Sequence, residues 1–504
     1  MKRSMLLGPL VASLTAILPT AAAGQAPAAA ATSPAPAEDW RALARQDVLA
    51  AYEIYVANHP GMHDPLNEGF PERLIRAREA GLRVAETASD RGGYSEALGA
   101  FSAELNDGHA LALAKPLAAT VAPQREWPGF VAAWRGDRAI VHHASGAAPA
   151  PVGSVIVACN GGPAADLVKK RLAYRGFRPG EEGHWWARVP QAFFSTPTFK
   201  ANRPERCTFR TPEGREIESA LTYSPAPENF AQLLDKATDG DRTPIGLSEA
   251  RPGIFLVGLP DFQPNEDGVK AYRALFETLR TRRTELNGAK AVVLDLRYNN
   301  GGSSSWSQQA AQALWGEEVV DQRMEEFFRD VRIWWRASKD NVAYMSEMEK
   351  QIRRNGNLQF ADEVNKIGSA MKAALAQGEK FYIEGEEKAT KPRPAKLLAS
   401  DFKVPVYVIT PGRCGSACLD AVDVFKRFDN VRLIGAPTSG DSTYMEVRSA
   451  DLPSGHGRIV IPNKIWMKRP RGSGEIYRPD IEMRDADWST AAFLNRIEQD
   501  LARR

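Results

Sequence analysis

Four short apolar runs, at residues 254–259, 291–296, 404–409 and 431–434, punctuate one long stretch of this chain, and segments with apolar residues at three- and four-residue spacing separate them. Runs so short and so continuously apolar belong inside a sheet that is covered on both faces. Strands that alternate with helices are the pattern of an α/β core. Residues 251–485 are therefore expected to form an α/β core, closed by a C-terminal helix within 486–504. Between the second and third runs, residues 316–394 are too many for a simple crossover. They are charged and carry helical triplets such as Val364, Ile367 and Met371, so they read as a helical insertion. It either caps a site or forms a peripheral or dimerising arm, so an oligomer is possible.

The N-terminus speaks to compartment. Lys2 and Arg3 precede an apolar run at 5–18, then Pro19 and the small residues Ala21, Ala22 and Ala23. This order is that of a secretory signal peptide over 1–23, and the run is short of the ~20 residues needed to span a bilayer. An Ala/Pro-rich linker follows at 24–38. The mature chain is expected to be periplasmic or secreted, with no stable membrane insertion. Lys plus Arg number 65 against 62 Asp plus Glu, and two of the basic residues leave with the leader. Such a balance offers no electrostatic footprint for a nucleic acid. Cys159, Cys207, Cys414 and Cys418 lack the paired spacing of a zinc site, so neither metal nor cofactor is expected.

Residues 39–119 read as a helical domain, with Leu49, Tyr52 and Val56 on one stripe and Tyr94, Leu98, Phe101 and Leu105 on another. Gly108 is the natural residue to end the last helix, leaving His109 just beyond it. Residues 120–225 switch to short alternating runs divided by Gly, Pro and Asp, a β-rich module, and 226–250 reads as a linker to the core.

Two segments carry chemistry. Gly412-Arg413-Cys414-Gly415-Ser416-Ala417-Cys418 follows one strand run and precedes a helix with Leu419, Val422 and Phe425 on one face. A serine at such a strand-to-helix turn exposes its hydroxyl beside free backbone N–H groups, which suits a nucleophile, although a helix-capping serine looks the same. In Asp295-Leu296-Arg297-Tyr298-Asn299-Asn300-Gly301-Gly302, a strand runs into paired glycines whose backbone can approach a ligand and point N–H groups at an oxyanion.

Taken in order, these two segments, then Gly435-Ala436-Pro437-Thr438-Ser439-Gly440, Leu452-Pro453-Ser454-Gly455 and Pro479-Asp480-Ile481, resemble the landmarks of the C-terminal processing (tail-specific) serine protease family. Asn106-Asp107-Gly108-His109 after a helical domain looks like that family's tricorn-core and interphotoreceptor retinoid-binding branch. The resemblance implies a crotonase-like (Clp protease-like) α/β catalytic core, a helical N-terminal domain and a PDZ-like module between them. Trp127-Pro128-Gly129-Phe130 is similar to a PDZ carboxylate-binding loop, so Gly129 and Phe130 are candidates to bind a peptide end, unless the module is a spacer.

The implied activity is a serine peptidase acting on peptides or proteins, with Ser416 as nucleophile and Gly301 or Gly302 together with Ala417 as oxyanion donors. A non-catalytic binder of peptides or apolar ligands on the same fold is the alternative. The tail-specific branch places a lysine after the Thr-x-Gly turn. Here the residue is Asp441, which removes support for a Ser/Lys dyad and points to His109 as general base. Glu475 is the best-matching orienting acid, with Asp107 and Asp441 as alternatives. The tricorn-like branch has a serine before its histidine where this chain has Gly108. Cys159 and Cys207 share the β module and are open to oxidation on export. Cys414 and Cys418, four residues apart as on a regular helix, are expected to point poorly for a disulfide.

N-terminal sequencing of the exported protein should therefore begin near Gly24. Recovery of Met1 in that pool would contradict cleavage.

Overall fold

The four apolar runs lie side by side in one sheet. The computed structural model describes residues 38–116, 124–196, 199, 202–385 and 396–504, so the expected signal peptide and all but the end of the linker lie outside the described residues. The sheet has six strands in the order Gly246–Arg251, Ile254–Gly258, Ala291–Asp295, Val406–Thr410, Val431–Gly435 and Ile481–Glu482. Only the first pair is antiparallel. The three strands that follow Gly246–Arg251 are buried along their whole length. Helices Glu266–Thr281, Ser305–Trp315 and Ala417–Phe425 cover one face, packing Phe276, Leu314 and Val422 onto Val257, Val292 and Val408. The closing helix Thr490–Leu501 lays Phe493 and Ile497 on the other face, over Leu256, Val293 and Ile409.

The β module shares that second face rather than standing apart. Its main strands are Phe130–Arg135, Arg138–Ala144, Val155–Cys159, Arg206–Arg210 and Glu216–Ala220, in that order, and Cys159 is bonded to Cys207 directly across the sheet. Phe130, Val141 and Trp186 belong to the same apolar cluster as the core strands, with the Trp186 and Trp488 rings 5.2 Å apart. The stretch expected as a linker, 226–250, is structured as well. It forms helix Phe230–Asp239, which buries Phe230 and Ala237, and then the outer strand Gly246–Arg251. Its two buried apolar residues are seven apart and fall on one face after two turns, a pattern too sparse to stand out in the sequence.

Three helices, Trp40–Asn58, Phe70–Ala85 and Arg91–Leu105, lie within the stretch read as helical. The last ends at Leu105, and Asn106, not Gly108, takes the left-handed position after it, with φ 51°. Asn tolerates that region because its short side chain bonds locally, so Gly108 is released from a capping role. The helices pack on a second sheet built around strand Gly457–Met467. Tyr444–Asp451 flanks that strand on one side, with Leu111–Ala114 and Arg332–Arg336 on the other. The hairpin tip is tied down where Asp47 accepts from Ser454 N, Ser454 Oγ and Tyr94 Oη. The insertion is not purely helical. Its strands Arg332–Arg336 and Phe381–Glu384 extend this sheet, and helices Lys339–Arg354 and Leu358–Ala376 pair over their own small core of Met345, Ile352, Val364 and Met371. Ile333, Trp334 and Trp335 have the bulky, β-favouring side chains that account for the first strand. Among the described residues no helix is long and apolar enough to cross a membrane.

Helix Glu182–Arg188 of the β module meets the core at two glycines. A Cβ on Gly183 would stand 2.3 Å from Thr438 C and 2.5 Å from Gly412 O, and one on Gly412 would stand 2.5 Å from Trp186 Cβ. Backbone lies against backbone at that contact, so no side chain can yield. Gly183→Ala should lower stability by about 1–3 kcal/mol in urea titrations, whereas Gly180→Ala, where a Cβ meets nothing within 4 Å, should change it little. Equal midpoints for the two variants would contradict the close approach.

Candidate active site

Ser416 sits between strand Val406–Thr410 and helix Ala417–Phe425 with φ 54° and ψ −130°, a conformation costly for any residue with a Cβ. It occupies the N-cap position, yet its side chain makes no capping bond. The residue is half-buried, and its hydroxyl is not engaged at the helix end. The backbone is held instead by Asp441, whose Oδ2 accepts from Ser416 N at 2.8 Å. Asp441 is itself buried and lies 3.6 Å from Arg471 Nη1.

A disulfide joins Cys414 and Cys418 around the serine, with Cα atoms 5.2 Å apart, against the sequence expectation. That expectation assumed a regular helix through both cysteines. The helix starts only at Ala417, and the turn at Ser416 swings Cys414 into reach.

The paired glycines lie against this turn. Gly301 has φ 100°, and a Cβ there would come 2.8 Å from Ser416 Cβ and 3.2 Å from Ala417 N, so only glycine admits the approach. Asn299 shapes the turn, since its Oδ1 accepts from Gly301 N at 2.9 Å and its Nδ2 donates to Leu259 O at 2.8 Å. Gly301 N is thus engaged within the turn itself. Asp295 and Arg297 form a buried ion pair beneath the turn, and Arg297 also donates to Trp488 O. These motif residues build the scaffold of the glycine turn.

A buried charge network, missed by the sequence reading, ties the two turns together. Asp420 and Asp423 stand on the first turns of the Ser416 helix, and Arg469 and Arg471 reach both of them. Ser304, two residues past Gly302, donates to Asp420, and Tyr477 donates to Asp423. Burial raises the Asp423 carboxyl, an effect the two arginines only partly offset. Burial also opposes the Arg471 charge, but Asp423, Asp420 and Asp441 prevail and hold that group above its ordinary value. The signal was present in the sequence as acids at i+4 and i+7 from Ser416 and arginines two apart at the end of a strand.

His109 lies in the loop between helix Arg91–Leu105 and strand Leu111–Ala114. Asp107 Oδ1 accepts from His109 N at 2.8 Å, and His109 Nδ1 is buried without a partner among the described residues. Glu475 is exposed, and its Oε2 accepts from Gly472 N at 2.8 Å within its own turn. That turn still borders the site, since Gly474 N donates to Asp441 O. Asp441, the other alternative acid, faces Ser416 N and Arg471. Lys464 is buried with its Nζ 3.6 Å from Glu446 and 4.5 Å from the centre of the Trp335 ring. In the β module, Gly129 and Phe130 are both buried, and Gly129 O accepts from Ser145 N and Oγ.

The match of residues 253–483 to the model of peptidase family S41 decides the class of this core. Residues 253–483 form a family S41 domain. Such a domain is of serine type and takes peptides or proteins as substrates, in line with the resemblance drawn from the motifs. Among solved structures, mature CPAF complexed with lactacystin is 14% identical over 92% of this chain and 98% of that chain, with a TM-score of 0.58. Mature CPAF alone is 13% identical over 91% and 96%, with a TM-score of 0.57. At such identities the likeness shows a common fold. The photosystem II D1 C-terminal processing protease is 15% identical over 89% of this chain and 98% of that chain, with a TM-score of 0.35. No curated protein matches the sequence.

The Asp441 bond can be tested in the S41 core directly. Asp441→Ala leaves Ser416 N without its acceptor, at a cost of about 1–3 kcal/mol, and should slow fluorophosphonate labelling about tenfold or more. Asp441→Asn keeps a carbonyl oxygen there and should stay much closer to wild type. Identical labelling by the alanine variant would show that the elbow holds without Asp441.

Proposed function

We propose that the protein is an exported serine peptidase. Ser416 attacks the scissile carbonyl, His109 takes the hydroxyl proton and returns it to the leaving amine, and Gly302 N and Ala417 N bind the oxyanion. The observation that carries this reading is the Ser416 elbow. A serine in a costly backbone conformation, with its hydroxyl not capping the helix, is pressed against a turn that only glycine can form. A ligand pocket would have no need of such strain. The chain's own groups supply every role in this scheme. A Ser/Lys dyad is disfavoured, because Lys464 is paired with Glu446 and Asp441 stands where the tail-specific branch carries its lysine. The acid that orients the imidazole is Glu475 if its carboxylate leaves Gly472, or Asp107, which already holds the His109 backbone.

Ser416→Ala should abolish peptide hydrolysis and change stability by no more than about 1 kcal/mol, because no capping bond is lost. His109→Ala should remove most of the rate together with the acid limb of the pH–rate profile. Of Glu475→Gln and Asp107→Asn, the variant that loses the larger factor in kcat identifies the orienting acid. Peptidase assays on the purified variants decide all three points, and a Ser416→Ala rate above a tenth of wild type would contradict the nucleophile.

A further inference from the structure

Gly108 marks a departure from the serine of the tricorn-like branch, and the structure shows what fills its place. A Cβ at Gly108 would come 3.2 Å from Arg178 Nη1 and 3.5 Å from Nη2, so the guanidinium of a β-module residue lies against the backbone immediately before His109. The same guanidinium also reaches the turn that precedes Asp441. Arg178 Nη2 donates to Gly440 O at 3.3 Å and to Glu181 Oε2 at 3.0 Å, and Arg178 Nε donates to Glu181 Oε1. Glu181 Oε2 accepts from Gly440 N at 2.8 Å. Both polar groups of the Gly440 backbone are therefore bound by one two-point Arg–Glu pair, and Gly440 is followed by Asp441, which holds Ser416 N. A planar guanidinium in a fork with a carboxylate has little freedom to shift.

The pair is itself fixed in place. His184 Nδ1 accepts from Arg178 N at 3.2 Å, and His184 Nε2 lies 3.4 Å from Glu181 Oε2. Burial, then Arg178 and Arg188, hold the His184 imidazole neutral, down to about 2. Behind it, Gly183 presses on Thr438 and Gly412, on the two turns that flank the serine.

We propose that Arg178 and Glu181 are positioning residues that hold the His109 loop and the Gly440–Asp441 turn in fixed register, making the β module a structural part of the active site. This rests on the Ser416–His109 reading above. The base and the nucleophile come from segments more than 300 residues apart, and the Arg178–Glu181 pair bridges the backbone before His109 and the backbone before Asp441, the acceptor of Ser416 N. It also accounts for Gly108, since a side chain there would push the guanidinium away.

The test compares kcat, KM and melting temperature for wild type, Arg178→Ala and Glu181→Ala on one peptide substrate. Misplacement of the base relative to the serine should lower kcat about 10- to 100-fold with KM little changed. Guanidinium ion, added well below denaturing concentrations, should restore part of the rate to Arg178→Ala and none to Ser416→Ala. A folded Arg178→Ala with wild-type kcat would overturn the bridge, as would a loss of rate carried wholly by KM. Should Arg178→Ala fail to fold, Gly108→Ala crowds the same guanidinium while leaving its partners in place. It should lower kcat in the same way, and an unchanged kcat would overturn the proposal. A wild-type protein that neither cleaves peptide nor labels with fluorophosphonate would instead overturn the Ser416–His109 reading, and the bridge with it.

Discussion

Ser416 adopts a backbone conformation that residues with a Cβ avoid, and its N–H donates to Asp441. Strain of this kind persists only where the surroundings over-determine it. Here they do so from several directions. The Cys414–Cys418 disulfide closes the chain around the serine, Gly301 packs on its Cβ, and Arg471 braces Asp441 while binding two acids of the helix that follows. The sheet explains why this is possible. Strand Val406–Thr410 is buried along its whole length, so the turn that leaves it starts from a rigid base.

The three parts of the chain meet at this point for different physical reasons. The helical domain is tied to the second sheet because strand Leu111–Ala114, just after His109, pairs with Gly457–Met467. The β module joins through a shared apolar core and through backbone contacts that only Gly183 and Gly412 permit. The core supplies the serine and the glycine turn. A module fused through a common hydrophobic cluster is poorly suited to swing freely, so its contribution is better understood as rigidity than as motion.

Much of this was legible in the sequence, and the parts that were not share a cause. The α/β core followed from four apolar runs, because burial on both faces leaves no polar alternation to misread. The Ser416 turn and the glycine turn followed from local motifs. The Cys414–Cys418 bond did not, since its geometry depends on a positive φ at Ser416 that the spacing of the cysteines does not reveal. The role of 226–250 as helix and strand was hidden in a short segment whose two buried residues, Phe230 and Ala237, are seven apart. The insertion's strands were obscured because Arg332–Arg336 pairs with residues more than 120 positions away and Phe381–Glu384 with residues more than 40 away, contacts that local periodicity cannot show. Arg178, Glu181 and Arg471 were missed for the same reason: each acts on a turn distant in sequence, and a charged residue in isolation reads as a solvated surface.

The central claim is that the elbow activates one serine. Peptide mapping by mass spectrometry after fluorophosphonate treatment of the intact wild-type protein tests it most directly. A single adduct is expected, on Ser416, and it should be absent when His109 is replaced by alanine. An adduct on another residue, or none at all on protein that cleaves peptides, would contradict it.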